Sequence, residues 1–293
     1  MIHRLVVLTA LMLASLAVPD ADAGFTVRDM DGREVQLAAR PRRIVSLVPS
    51  STEIIFALGG EDRLAGVTDF CDFPPAAKLK PSVGGMIGPS LEVIVTLKPD
   101  LVIATREGNR EETFTQLARL GIPTYLVAAH RVADVTEVIR RLARLTEREA
   151  AAPALIGKLE DRIHAVRRTV APLARPRVLY VVWPDPLIVP GRDALVTELI
   201  QLAGGDSITA AEAQSYPRYS VEAAIAKAPD VVIVANHGTG SGEAVIEPWQ
   251  RLMSLIKARR VASAEGNLMH RYGPRMVDGL ERLARVIHPE AYR

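Results

Sequence analysis

Residues 90–104 read SLEVIVTLKPDLVIA, and residues 220–235 read SVEAAIAKAPDVVIVA. Ser90 and Ser220, Glu92 and Glu222, Pro99 and Pro229, and Asp100 and Asp230 hold matching places at an offset of 130. Each Ser-x-Glu opens a helix with a carboxylate in its first turn, and each Pro-Asp precedes an apolar run of strand length. A second pair keeps the same order: TEIIFALGG at 52–60 returns as TELIQLAGG at 197–205, at an offset of 145. Two ordered echoes over so long a period imply two duplicated lobes, because a short-repeat solenoid would recur every ~20–50 residues.

The elements around the echoes alternate. FTVRDMDGREVQL at 25–37 reads as a hairpin turning at Asp31-Gly32, the strongest short hairpin signal. RIVSLVP at 43–49 and Leu64–Val67 read as strands, with a helix from Ser50 to Gly59-Gly60 between them. Helix SLEVIVTLK, strand DLVIAT, helix EETFTQLARLG and strand IPTYLVA follow, the βα alternation of a parallel sheet. From Val132 to Val170 the apolar period becomes helical, and residues 147–171 are expected to form one linking helix with Pro153 about one turn into it. RVLYVVW at 177–183 then restarts the alternation, which closes with a last strand near Leu268 and an amphipathic helix at 276–289. The fold class is therefore α/β: two Rossmann-like lobes, 24–146 and 172–293, with a ligand cleft between them and a single long helix joining them. Such a cleft is a favoured place for a small-molecule site.

The first 23 residues carry basic Arg4, an apolar stretch from Leu5 to Val18 and the small-residue site Ala21-Asp22-Ala23. This is the pattern of a secretory signal peptide cleaved before Gly24; the apolar stretch is shorter than the ~20 residues a membrane-spanning helix needs. No Cys stands near that site to take a lipid, and Cys71, the only cysteine, has no partner for an internal disulfide. Without Arg4, Asp20 and Asp22, the 36 basic and 34 acidic residues become 35 and 32, a balance that calls for neither nucleic acid nor a polyanion. The expectation is a soluble periplasmic monomer without membrane insertion.

Strong catalytic and metal signatures are absent: there is no GxSxG, HExxH, GxxxxGK[ST], paired CxxC or EF-hand spacing. No catalytic residue, metal site or cofactor is therefore expected. A rival reading, an exported α/β enzyme or a chelatase-like metal enzyme, would use His237 and His270.

Together RIVSLVPSSTEIIFALGG, GVTDFCDFPP, SLEVIVTLKPDLVIA and LGIPTYLV resemble the periplasmic substrate-binding proteins of ABC importers for cobalamin, haem and iron-siderophores. The resemblance runs from Phe25 to the C-terminal helix and implies two α/β lobes bridged by one long helix. It implies that Glu92 and Glu222 dock onto the importer permease, one per lobe. VPSSTE followed by DFCDFPP and SLE is most similar to the cobalamin branch, which nominates Phe70, Phe73, Met86 and Thr105 from the first lobe and Leu187, Tyr216 and Arg271 from the second. Trp183, at a strand end, joins them. Well-known cobalamin binders have tryptophan at the positions of Met86, Thr105 and Tyr216. Haem is the second choice of ligand, with Tyr216, Tyr219 or His270 as axial ligand. An iron-siderophore is the third, in a cleft made basic by Arg106, Arg218, Arg271 and Arg275.

Overall fold

The computed structural model describes residues 24–236, 252–256 and 258–292. The signal peptide expected over residues 1–23, and His237, lie outside the described residues. The chain opens with the antiparallel hairpin β1 (Phe25–Arg28) and β2 (Glu34–Leu37), Phe25 opposite Leu37. Its turn uses Gly32 at φ 80, a conformation open to glycine at little cost.

A parallel sheet follows, in the order β4-β3-β5-β6: β3 (Ile44–Ser46), β4 (Leu64–Val67), β5 (Leu101–Ala104) and β6 (Thr124–Leu126). Helices α1 (Pro49–Ala57), α2 (Leu91–Thr96), α3 (Glu111–Arg119) and α4 (Val132–Thr146) accompany it. Helix α5 (Ala152–Val170) comes next. Beyond it stand β7 (Arg177–Val181), the two-residue strands β8 (Trp183–Pro184) and β9 (Leu187–Ile188), β10 (Asp206–Ser207), β11 (Val231–Asn236) and β12 (Arg260–Glu265). The second parallel sheet is ordered β10-β7-β11-β12, so strand for strand its topology repeats the first. Helices α6 (Leu195–Leu202), α7 (Val221–Ala226), α8 (Gly266–Met269) and α9 (Met276–Ile287) complete the α/β fold.

The echoed residues build the same local structures twice. Gly59 and Gly204 end α1 and α6 at φ 72 and 81, and the next amides, Gly60 and Gly205, each reach back 2.9 Å to Ile55 and Ile200 carbonyls, the glycine helix stop. Ser90 and Ser220 cap α2 and α7 by accepting from the Val93 and Ala223 amides. The Asp100 carboxylate accepts the Arg42 and Arg43 amides at 2.7 and 3.0 Å, and Asp230 accepts the Arg177 amide at 3.0 Å. Each Pro-Asp thus fixes the start of one strand against its neighbour.

Two boundaries differ from the sequence reading. The long helix begins at Ala152 rather than at residue 147, because Glu147 takes left-handed φ 57 at the end of α4 and a 3-10 turn, Glu149–Ala151, intervenes. The last strand is β12, ending at Glu265, and Leu268 lies in α8; six-residue pairing with β11 uses up the strand before Gly266.

One continuous apolar core runs from Val27 and Val35 of the hairpin through Ile55 and Leu142, across Ile156, Leu159 and Val166 of α5, to Val277 and Ile287. Polar contacts bind the two halves of the chain reciprocally. Glu198 of α6 accepts the Val132 amide at the start of α4 at 2.8 Å, and the equivalent Glu53 of α1 accepts Nε and Nη2 of Arg275, at the start of α9, at 3.0 and 2.6 Å.

Candidate functional site

In each sheet the first strand of the half lies inside, and the chain crosses to opposite sides of it. The crevice beyond the carboxyl ends of such strands is where open α/β sheets bind ligands. A cavity of about 650 Å³ lies there, lined by Val48 to Ser51 after β3, Thr105, Glu107 and Gly108 after β5, Val127 to His130 after β6, and Val182 after β7. Phe70, Met86, Val138, Asp193, Ala194, Ser215, Tyr216 and the run His270-Arg271-Tyr272 complete the wall, so both halves contribute.

Five of the eight nominated ligand-binding residues meet here: Phe70, Met86, Thr105, Tyr216 and Arg271. Phe70 is 54% exposed and Tyr216 43%; large apolar side chains left open inside a concave wall mark a binding surface. Met86 packs its Cε and Sδ against Gly108, so that a side chain there would have to displace the end of the Met86 chain. Asn109 holds this corner, accepting the Thr105 amide at 2.9 Å and donating to the Met86 carbonyl at 2.7 Å.

The other three do not line the cavity. Phe73 lies under the Arg275 guanidinium, 4.0 Å from its ring centre. Leu187 is buried with Leu179, Val181 and Val232, because the β8–β9 hairpin folds it inward opposite Pro184. Trp183, outside the β7 sheet, donates its indole N–H to the Asp185 carbonyl at 3.0 Å.

Among the residues considered for a basic cleft, only Arg271 faces the cavity. Arg106 is engaged by Asp31 and Glu111. Arg271 donates to Asp72 at 2.7 Å and lies 3.5 Å from Glu53, while Arg275 is bidentate on Glu53. Although partial burial pushes the Asp72 carboxyl up, the hydrogen bond and charge of Arg271, with Arg275 beyond, bring it below its ordinary value. On the opposite rim the Nδ1 of His130 is 2.9 Å from Glu107.

Of the residues considered as axial ligands, His270 and Tyr216 line the cavity and Tyr219 does not. The His270 ring meets Tyr180 and Tyr216 edge-on, with ring centres 5.8 and 6.0 Å apart. Desolvation in the cleft, reinforced by Glu107, pushes the Tyr216 phenol up to about 12, so it keeps its proton at neutral pH. No group of three or more His, Cys, Asp or Glu suited to a metal ion occurs among the described residues. Sequence reasoning missed Glu107, Asn109, His130 and Asp193; their one signal was position in loops directly after strands or before a helix, where binding groups gather.

The profile of the family described as periplasmic binding protein matches residues 44–256. The chain belongs to that family. A vitamin B12-binding protein of Vibrio vulnificus is 28% identical over 250 residues, 85% of this chain and 91% of the relative. Among solved structures, the vitamin B12-binding protein BtuF of Vibrio cholerae is similar with a TM-score of 0.73 and 27% identity, covering 87% of this chain and 99% of that one. The apo haem-binding protein RhuT of Roseiflexus sp. RS-1 is as near, with a TM-score of 0.76 and 28% identity over 85% of this chain and 99% of that one. These relatives are named as binding proteins, not enzymes. Likeness alone does not choose between B12 and haem.

Proposed function

We propose that the protein is a periplasmic binding protein that captures cobalamin or a related corrinoid in the cleft and delivers it to an ABC importer. The observation that carries this reading is the pair of exposed aromatic side chains, Phe70 from the first half and Tyr216 from the second, in the walls of one cavity. A flat macrocycle is held mainly by apolar and aromatic faces, with a few polar groups at its edge. Phe70, Met86, Thr105, Tyr216 and Arg271 form this site. In this reading the two sheets belong to two lobes joined by α5, and Glu92 and Glu222 meet the permease. Residues 1–23 direct export and are removed near Ala23-Gly24, so the mature protein should begin at Gly24 by mass analysis.

Haem is the second reading, favoured by Tyr216 and His270 standing together on the cavity wall. Titration of purified protein with cyanocobalamin and with haemin, followed by tryptophan fluorescence and visible spectra, separates the two. Saturable one-to-one binding of cyanocobalamin, tighter than that of haemin, is expected. Haemin binding with an axial-ligand spectrum, and no response to cyanocobalamin, would replace the first reading by the second.

A further inference from the structure

We infer that the cavity selects a macrocycle whose rim carries uncharged carboxamides and rejects the same macrocycle bearing free carboxylates; this rests on the corrinoid reading above. Arg271 is the only Arg or Lys among the described lining residues, and its charge is already committed. Asp72 takes its Nη1 at 2.7 Å and Glu53 lies 3.5 Å away, with the Arg271 side chain only 15% exposed. Arg275 does not leave a surplus, because it is itself bidentate on Glu53. Two guanidiniums face two carboxylates, and the group is neutral.

The other carboxylates of the wall are Glu107 and Asp193; His130 stands beside Glu107, and Tyr216, His270 and Tyr272 are the other titratable groups that line it. Carboxylates only accept hydrogen bonds, so they suit the NH2 donors of a carboxamide and repel a second carboxylate. Rejection of the wrong ligand by like charge is an ordinary route to specificity.

The test compares cyanocobinamide with dicyanocobyrinic acid. Both lack the nucleotide loop, but the first keeps its rim amides and the second has free acids in their place. At neutral pH and low salt the acid should bind at least about tenfold more weakly, and the gap should narrow as salt is raised. Asp72→Asn frees the Arg271 guanidinium to take a carboxylate and should strengthen binding of the acid at least about threefold, with little change for cobinamide. Glu107→Gln, on the exposed rim, should act in the same direction and serves where Asp72→Asn fails to fold. Equal affinity for the two corrinoids, or no gain by the acid in either variant, overturns the charge selection while leaving corrinoid capture standing. Failure of both cobinamide and cyanocobalamin to bind overturns both.

Discussion

Glu53 sits in the first helix of the chain with a side chain only 3% exposed, yet it serves two arginines that follow it by more than 200 positions. Removing one partner of a buried ion pair leaves the other charge uncompensated, which costs about 3–5 kcal/mol. Glu53→Ala should lower unfolding stability in urea by that amount, and Glu53→Gln, which keeps an acceptor, by less. Asp72 supplies a pH signature. Its folded pKa lies below its ordinary value, so its contribution is present above the unfolded value of about 3.9 and is lost as pH falls through the folded one. The stability gap between wild type and Asp72→Asn should therefore be full near pH 6 and shrink near pH 3; a gap that stays constant would show that the Arg271 pairing adds nothing. None of this was legible in the sequence, where Glu53 reads as one more polar position in an apolar helix. That Phe70, Met86, Thr105, Tyr216 and Arg271 would come together was legible only through the family resemblance, which carried their positions over; composition and periodicity did not single them out. Leu187 and Trp183 were misplaced because a two-residue hairpin gives too short a pattern to show which side turns inward.

At the scale of elements, the repeat that decided the fold class also built matching structures: the Ser caps, the Gly-Gly helix stops and the Pro-Asp strand anchors recur in both halves. They were readable because each is a local device of a few residues. The start of α5 was not, since nothing in the run Glu147-Arg148-Glu149 announces the left-handed residue that breaks the helix. The Ser-x-Glu turns also leave Glu92 and Glu222 exposed at the first turns of α2 and α7. Glu222 accepts the Ser220 hydroxyl at 2.7 Å, and this bond, with a backbone hydrogen bond, holds its carboxyl below the usual range. A carboxylate at a helix N-terminus gains from the helix dipole, but neither side chain lines the cavity. If the pair meets the permease, as proposed, replacing both by Ala should leave ligand affinity of the purified protein within about twofold while abolishing uptake in cells, because the charges would serve a contact outside the cavity. Loss of binding by the purified double variant would assign the pair to the ligand instead.

For the whole molecule, in the proposed reading of two lobes joined by α5, that connection limits how far the cleft can open. Helix α5 has 19 residues, about 28 Å of continuous hydrogen-bonded rod at 1.5 Å per residue, and it packs against both α4 and α9. A helix held on both sides absorbs less rotation than a pair of crossing loops, although Gly157 allows a modest bend. Contacts across the cleft add resistance: Glu53 with Arg275, Asp72 with Arg271, Glu198 with the Val132 amide, and the Tyr272 hydroxyl donating to the His130 carbonyl at 3.0 Å. Wide opening would break all four and expose the apolar core that runs through α5. The pocket is then largely preformed, and little binding free energy goes into rearranging the halves. Small-angle scattering with and without saturating cyanocobalamin should show a change in radius of gyration below about 1 Å, whereas hinge-type closure gives a larger fall. A decrease beyond that limit would mean that α5 bends and that the cross-cleft contacts form only around the ligand.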